Sequence, residues 1–97
     1  MTIEDVNKMA SEHEYLLLDF YGTWCMPCRM QSEIIEELQQ NKVSGLYINK
    51  VDVDKNMDLC REYNIVSVPT LMLFKKGELV KRYVGVANID TITSWIE

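Results

Sequence analysis

Two cysteines two residues apart, Cys25 and Cys28, follow closely on a nearly unbroken apolar run, Tyr15 Leu16 Leu17 Leu18 Asp19 Phe20 Tyr21. That spacing lets the two sulfurs meet across one turn of chain, so a disulfide can close and open there without large backbone movement. Pro27, between them, suits the first turn of a helix, because its missing N–H would have had no intrahelical partner. The apolar run reads as a central strand covered on both faces. A strand therefore ends, and a helix starts, at a pair of thiols. The free N–H groups and positive dipole end of that helix favour an anion, and the anion at hand is the Cys25 thiolate. The thiolate is the attacking species in disulfide exchange, so the junction points to redox chemistry. Cys25, nearer the helix end, is expected to be the exposed nucleophile, and Cys28, inside the first turn, the buried resolving thiol.

The flanking segments supply a frame for this junction. Thr2 to His13 reads as a short amphipathic helix, with Thr2 as N-cap and Ile3, Val6, Met9 and Ala10 on one face. From Pro27 to about Gln40, Met30, Ile34 and Leu38 recur every four positions while Glu33, Glu36 and Glu37 face solvent, which predicts a surface helix. Leu46 to Val53 follows as a second strand, parallel to the first across a βαβ crossover. Asp54 to Tyr63 is expected to be a short helix capped by Asp54 or Asn56. Thr70 to Phe74 and Leu79 to Val84 flank Lys75 Lys76 Gly77 Glu78, a hairpin signal with glycine where positive φ is needed. Asn88 caps a last helix whose inward stripe is Ile89, Ile92, Trp95 and Ile96. The order is α-β-α-β-α-β-β-α: an α/β chain with a central mixed four-stranded sheet flanked by helices on both faces.

Ninety-seven residues, 47% of them hydrophobic, suffice for one domain, residues 1–97, with a single core. The start, Met1 Thr2 Ile3 Glu4 Asp5, has no basic region followed by an apolar run. No stretch approaches the roughly 18 apolar residues of a membrane span, so a cytoplasmic protein without membrane association is expected. The net charge of −5 argues against nucleic-acid binding, which needs a basic face. Three cysteines and His13 could in principle form a Cys₃His zinc set. The spacings oppose it, because Cys60 has no close pair and His13 lies in another element; no metal is expected. Cys60 reads as a small, partly buried filler, the alternative being a regulatory or intermolecular disulfide, and His13 as a surface residue.

Asp19 is the anomaly in its strand. A carboxylate among Leu16, Leu17, Leu18 and Phe20 is desolvated, which raises its pKa and makes it a proton acceptor near neutrality. Pro69 is excluded from the middle of a strand and should begin one.

The Trp24 Cys25 Met26 Pro27 Cys28 stretch, with Val68 Pro69 Thr70 and Lys76 Gly77 Glu78 downstream, resembles the thioredoxin family, and the likeness runs from about Leu16 to the C-terminus. The resemblance implies the thioredoxin-like fold, without the extra N-terminal strand of typical bacterial members. It implies that Asp19 lies beneath Cys28 and accepts its proton, and that Lys50 neighbours Asp19. It also implies a cis Val68–Pro69 bond facing the cysteine pair, with the Val68 backbone presented to an extended substrate segment. Trp24, Met26, Pro27, Val68, Gly85 and Val86 would form an apolar docking patch round the sulfur. The implied activity is reduction of protein disulfides by a monomer with no bound cofactor, recycled by a thioredoxin reductase, either an NADPH flavoprotein or a ferredoxin-linked enzyme. Met26 stands where most family members have glycine, which bears on the reduction potential. Glu33 stands where the family often has a helix-kinking proline, so a straighter helix is expected. The alternatives are a disulfide oxidant or isomerase, and a binding module that holds a partner without turnover.

Overall fold

A computed structural model describes residues 1–96 of the chain. The elements are α1 (Ile3–Glu12), β1 (Tyr15–Tyr21), α2 (Met26–Gln40), β2 (Leu46–Asp52), a 3₁₀ turn (Val53–Lys55), α3 (Met57–Glu62), β3 (Thr70–Lys75), β4 (Glu78–Val84) and α4 (Ile89–Ile96). The strands form one sheet in the order β2-β1-β3-β4, so β1 is central and β2 lies at an edge. β1 runs parallel to β2, with Asp19 opposite Lys50, and antiparallel to β3, with Asp19 opposite Leu71.

Alternation along β1 sorts the core into two layers. Leu16, Leu18 and Phe20 pack with Val6 and Ala10 of α1 and with Leu59 and Cys60 of α3. Tyr15 and Leu17 pack on the other face with Ile35 and Leu38 of α2, Ile92 of α4, and Leu71 and Leu73 of β3. Cys60 is thus a buried filler, as expected. Residues 15–20 are all buried, which explains the unbroken apolar run: a strand with helices on both faces has no solvent side.

Local signals set most boundaries. The Thr2 hydroxyl accepts from the Asp5 N–H at 3.1 Å, and the Asp5 carboxylate accepts from the Thr2 N–H at 2.9 Å, closing a capping box on α1. The β3–β4 turn is two residues long. Lys76 (φ 50°) and Gly77 (φ 88°) both adopt the left-handed conformation that a tight hairpin demands. Asn88 caps α4 through a 2.9 Å bond from the Thr91 N–H.

Three expectations need correction. The stripe on α2 is not Met30, Ile34 and Leu38. Cys28, Gln31, Ile35 and Leu38 face inward, Ile34 is half-buried, and Met30 is 60% exposed. Burial of Cys28 sets the phase of the helix, and Gln31 fits that phase because its amide nitrogen and oxygen each find a backbone partner at Ala87. Secondly, the segment expected as one helix from Asp54 to Tyr63 is a 3₁₀ turn followed by α3. Asp52 caps the turn through a 2.9 Å bond from the Asp54 N–H, while the Asn56 side chain caps nothing. Thirdly, His13 is half-buried, stacked on Tyr47 with ring centroids 4.5 Å apart.

Thr2→Ala removes one side of the capping box. It should cost about 1 kcal/mol, lowering Tm by about 4–8 °C, without altering the reactivity of the cysteine pair. Thermal unfolding with parallel thiol titration checks both halves.

Candidate active site

β1 delivers the chain to the edge of the core at Tyr21, and a short turn then starts α2. Cys25 is the N-cap of α2, with Met26 and Pro27 in its first turn, so the helix begins one residue before Pro27. The Cys25 sulfur accepts a hydrogen bond from the Cys28 N–H at 3.2 Å, the bond a serine or aspartate cap would make. Cys25 and Cys28 are joined as a disulfide, with Cα atoms 5.2 Å apart. The expected contrast in exposure is absent: Cys25 is 5% and Cys28 3% exposed. In the closed pair the Cys25 sulfur sits between the helix end and the Val68 carbonyl oxygen, 3.8 Å away, which hides it from solvent.

The Val68–Pro69 bond is cis, and Pro69 is buried at the entry to β3. The Pro69 carbonyl accepts from the Gly85 N–H at 2.9 Å, which ties this loop to the one after β4. Gly85 has φ of 105°, open to glycine and strained for other residues. Val68 and Val86 are half-buried.

Trp24 and Met26 are each 65% exposed beside the disulfide. The indole lies close over Gly22, where an added Cβ would come within 2.6 Å of the ring. Its N–H donates to Asp54 at 2.9 Å, so this exposed ring is held in place. Trp24 and Val66–Val68 border a shallow groove of about 130 Å³. Val66, 93% exposed, adds to the apolar rim.

Asp19 is fully buried and lies, by the alternation of β1, on the face covered by α2. Neither of its oxygens has a hydrogen-bond partner among the described residues. Burial pushes its pKa up to about 6, and the charge of Lys50 pulls part of the way back. Lys50 itself is exposed. It donates to the Ser32 hydroxyl at 2.5 Å and lies 4.9 Å from the centre of the Tyr21 ring, and no hydrogen bond joins it to Asp19. The arrangement offers a sulfur pair at a helix N-terminus, an exposed apolar rim, and a buried acid whose pKa is raised to about 6. It does not bring together the Cys₃His set: Cys60 lies in the other core layer, and His13 stacks on Tyr47.

The sequence assigns no role to Gln31 or Gly22, and marks Asp54 only as a helix cap. Gln31 carried a signal, being polar at the position one turn beyond Cys28. Nothing in the sequence paired Trp24 with Asp54, thirty residues away.

Asp19 makes stability depend on pH with a definite sign. The folded state binds the carboxyl proton more tightly than an ordinary aspartate of pKa 3.8. Stability therefore falls as pH rises from about 4 to about 6 and is level above that, a loss of about 3 kcal/mol. Asp19→Asn should flatten this slope and be more stable than the parent near neutrality, the two converging below pH of about 4. Denaturant unfolding across this range checks it; an equal slope in both proteins would refute the assignment.

A family model described as Thioredoxin matches residues 3–97. The thioredoxin of Mycobacterium tuberculosis is 44% identical over 77 residues, covering 79% of this chain and 66% of that protein. The match thus spans just under two thirds of the relative's length. A bifunctional thioredoxin reductase/thioredoxin of Mycobacterium leprae is 43% identical over 77 residues, covering 79% of this chain and 17% of that protein. Among solved structures, a mutant thioredoxin from Halobacterium salinarum superposes with a TM-score of 0.87 at 35% identity, covering 97% of this chain and 81% of its own. With its disulfide at the N-terminus of α2, its cis proline opposite and its sheet order, this chain belongs to the thioredoxin family.

Proposed function

We propose that this chain is a thiol–disulfide oxidoreductase that reduces protein disulfides. The observation that carries the reading is the Cys25–Cys28 disulfide at the N-terminus of α2, with the Cys28 N–H directed at the Cys25 sulfur. In the reduced protein that N–H and the helix dipole favour a Cys25 thiolate.

The thiolate attacks a substrate disulfide, forms a mixed disulfide and expels one substrate thiolate. Cys28 then loses its proton to Asp19, whose pKa of about 6 suits an acceptor near neutrality, and attacks the Cys25 sulfur. The internal disulfide forms and the second substrate thiolate leaves. Two electrons have passed from the pair to the substrate. Lys50 tempers the charge on Asp19. Trp24, Met26, Pro27, Val68, Pro69, Gly85 and Val86 make the docking rim, on which an extended substrate segment pairs with the Val68 backbone.

The oxidised pair is returned to dithiol by a thioredoxin reductase, an NADPH flavoprotein or a ferredoxin-linked enzyme. That the Mycobacterium leprae relative is named as a fusion of reductase and thioredoxin supports such a pairing. The protein works as a cytoplasmic monomer. Among the described residues no helix is long and apolar enough to cross a membrane.

Cys28→Ser should accumulate a mixed disulfide through Cys25, visible by mass spectrometry, whereas Cys25→Ser should trap nothing. A partner held without any covalent link would instead mean a binding module. The reduction potential should lie near about −270 mV despite Met26 in the dipeptide. A value above about −200 mV would reverse the direction and make the protein an oxidant or isomerase.

A further inference from the structure

The most completely satisfied polar side chain in the core belongs to α2. Gln31 is fully buried, one helical turn beyond Cys28. Its amide makes two bonds to a single residue of a distant loop: the Ala87 N–H donates to Oε1 at 2.7 Å, and Nε2 donates to the Ala87 carbonyl at 3.0 Å. A loop backbone is clasped by a side chain in the manner of a strand pair. Ala87 lies between Val86 of the docking rim and the α4 cap Asn88. The same loop is tied at its other end by the Gly85 N–H to the Pro69 carbonyl. The redox helix, the cis-proline loop and the loop after β4 are thereby joined in one hydrogen-bonded unit, and Gln31 is its attachment to the helix.

We propose that Gln31 is a positioning residue for substrate docking: it sets the height and orientation of the Gly85–Ala87 loop relative to the disulfide. An apolar residue would fill the space yet leave the Ala87 N–H and carbonyl buried without partners, a state the loop relieves by moving away from α2. A shifted loop alters the rim that an extended polypeptide must fit. A small disulfide that reaches only the sulfur does not need that rim. The Cys25 cap bond and Asp19 lie outside the clasp, so the chemistry of the pair is left alone.

The inference rests on the reductase reading, and one experiment separates their failures. Gln31→Leu and Gln31→Glu are compared with the parent in reducing insulin and a small aromatic disulfide, with dithiothreitol as recycling reductant, alongside the reduction potential and Tm. The expected result is a KM for insulin raised about tenfold in Gln31→Leu with kcat little changed. The rate on the small disulfide and the potential should be unchanged. Gln31→Glu keeps an acceptor for the Ala87 N–H and, when ionised, sets its charge against the Ala87 carbonyl, so it too should raise the KM for insulin and serves if Gln31→Leu does not fold. Unchanged insulin kinetics in folded variants would overturn the clasp's role. Equal losses on both substrates, or a moved potential, would overturn it in favour of a general effect on the fold or the pair. A parent protein inactive on insulin would refute the reductase reading itself.

Discussion

The hydrogen bond from the Cys28 N–H to the Cys25 sulfur ties the chemistry of this protein to its architecture. A helix must satisfy its first N–H groups, and here the capping atom is also half of the redox pair. Ending β1 at Tyr21 and starting α2 at Met26 leaves four residues for the turn, which is enough to place the cap and to lay Trp24 over Gly22. Everything that moves the first turn of α2 therefore moves the sulfurs. The second layer of the core anchors that helix through Ile35 and Leu38, packed with Ile92 of α4.

Two polar side chains in that layer are treated in opposite ways. Both the nitrogen and the oxygen of the Gln31 amide bond a loop backbone, whereas neither Asp19 oxygen has a partner among the described residues. The first costs little and adds definition to the packing. The second is destabilising in its charged form, which is why its proton is held more tightly than that of an ordinary aspartate. The contrast separates a structural clasp from a titrating acid, although both are buried polar residues on one side of one sheet.

Much of the fold was legible in the sequence, because its strongest signals are local. The run from Tyr15 to Tyr21, the Thr2 cap, the Lys76–Gly77 turn and the Asn88 cap each act over a few residues, and each lies where expected. The phase of α2 was misread because hydrophobicity alone ranked Met30 above Gln31. The deciding fact, a partner at Ala87, lies fifty-six positions away. The same holds for Trp24, whose partner Asp54 is fixed only once β2 has brought the 3₁₀ turn beside the site. The exposure of Cys25 escapes the sequence for a related reason, since the Val68 loop that covers it is the one leading into β3, forty-three residues on. The cysteine pair and the acid carry their meaning in their own surroundings, whereas the cis proline carries its meaning through a family pattern, and its tie to Gly85 is made only in the folded chain.

The tight turn between β3 and β4 has a practical side. Strand β3 leaves the cis-proline loop at Thr70 and reaches the turn six residues later, and β4 returns to Gly85. At about 3.4 Å per residue, the hairpin tip lies about 20 Å along the strand from the cis-proline loop, at the opposite pole of the sheet. The exposed amine of Lys76 is thus a convenient attachment point for a fluorophore, a surface tether or a fused partner. Such cargo would leave the approach to Cys25 open, while Gly77, whose backbone no other residue adopts as readily, is best left untouched.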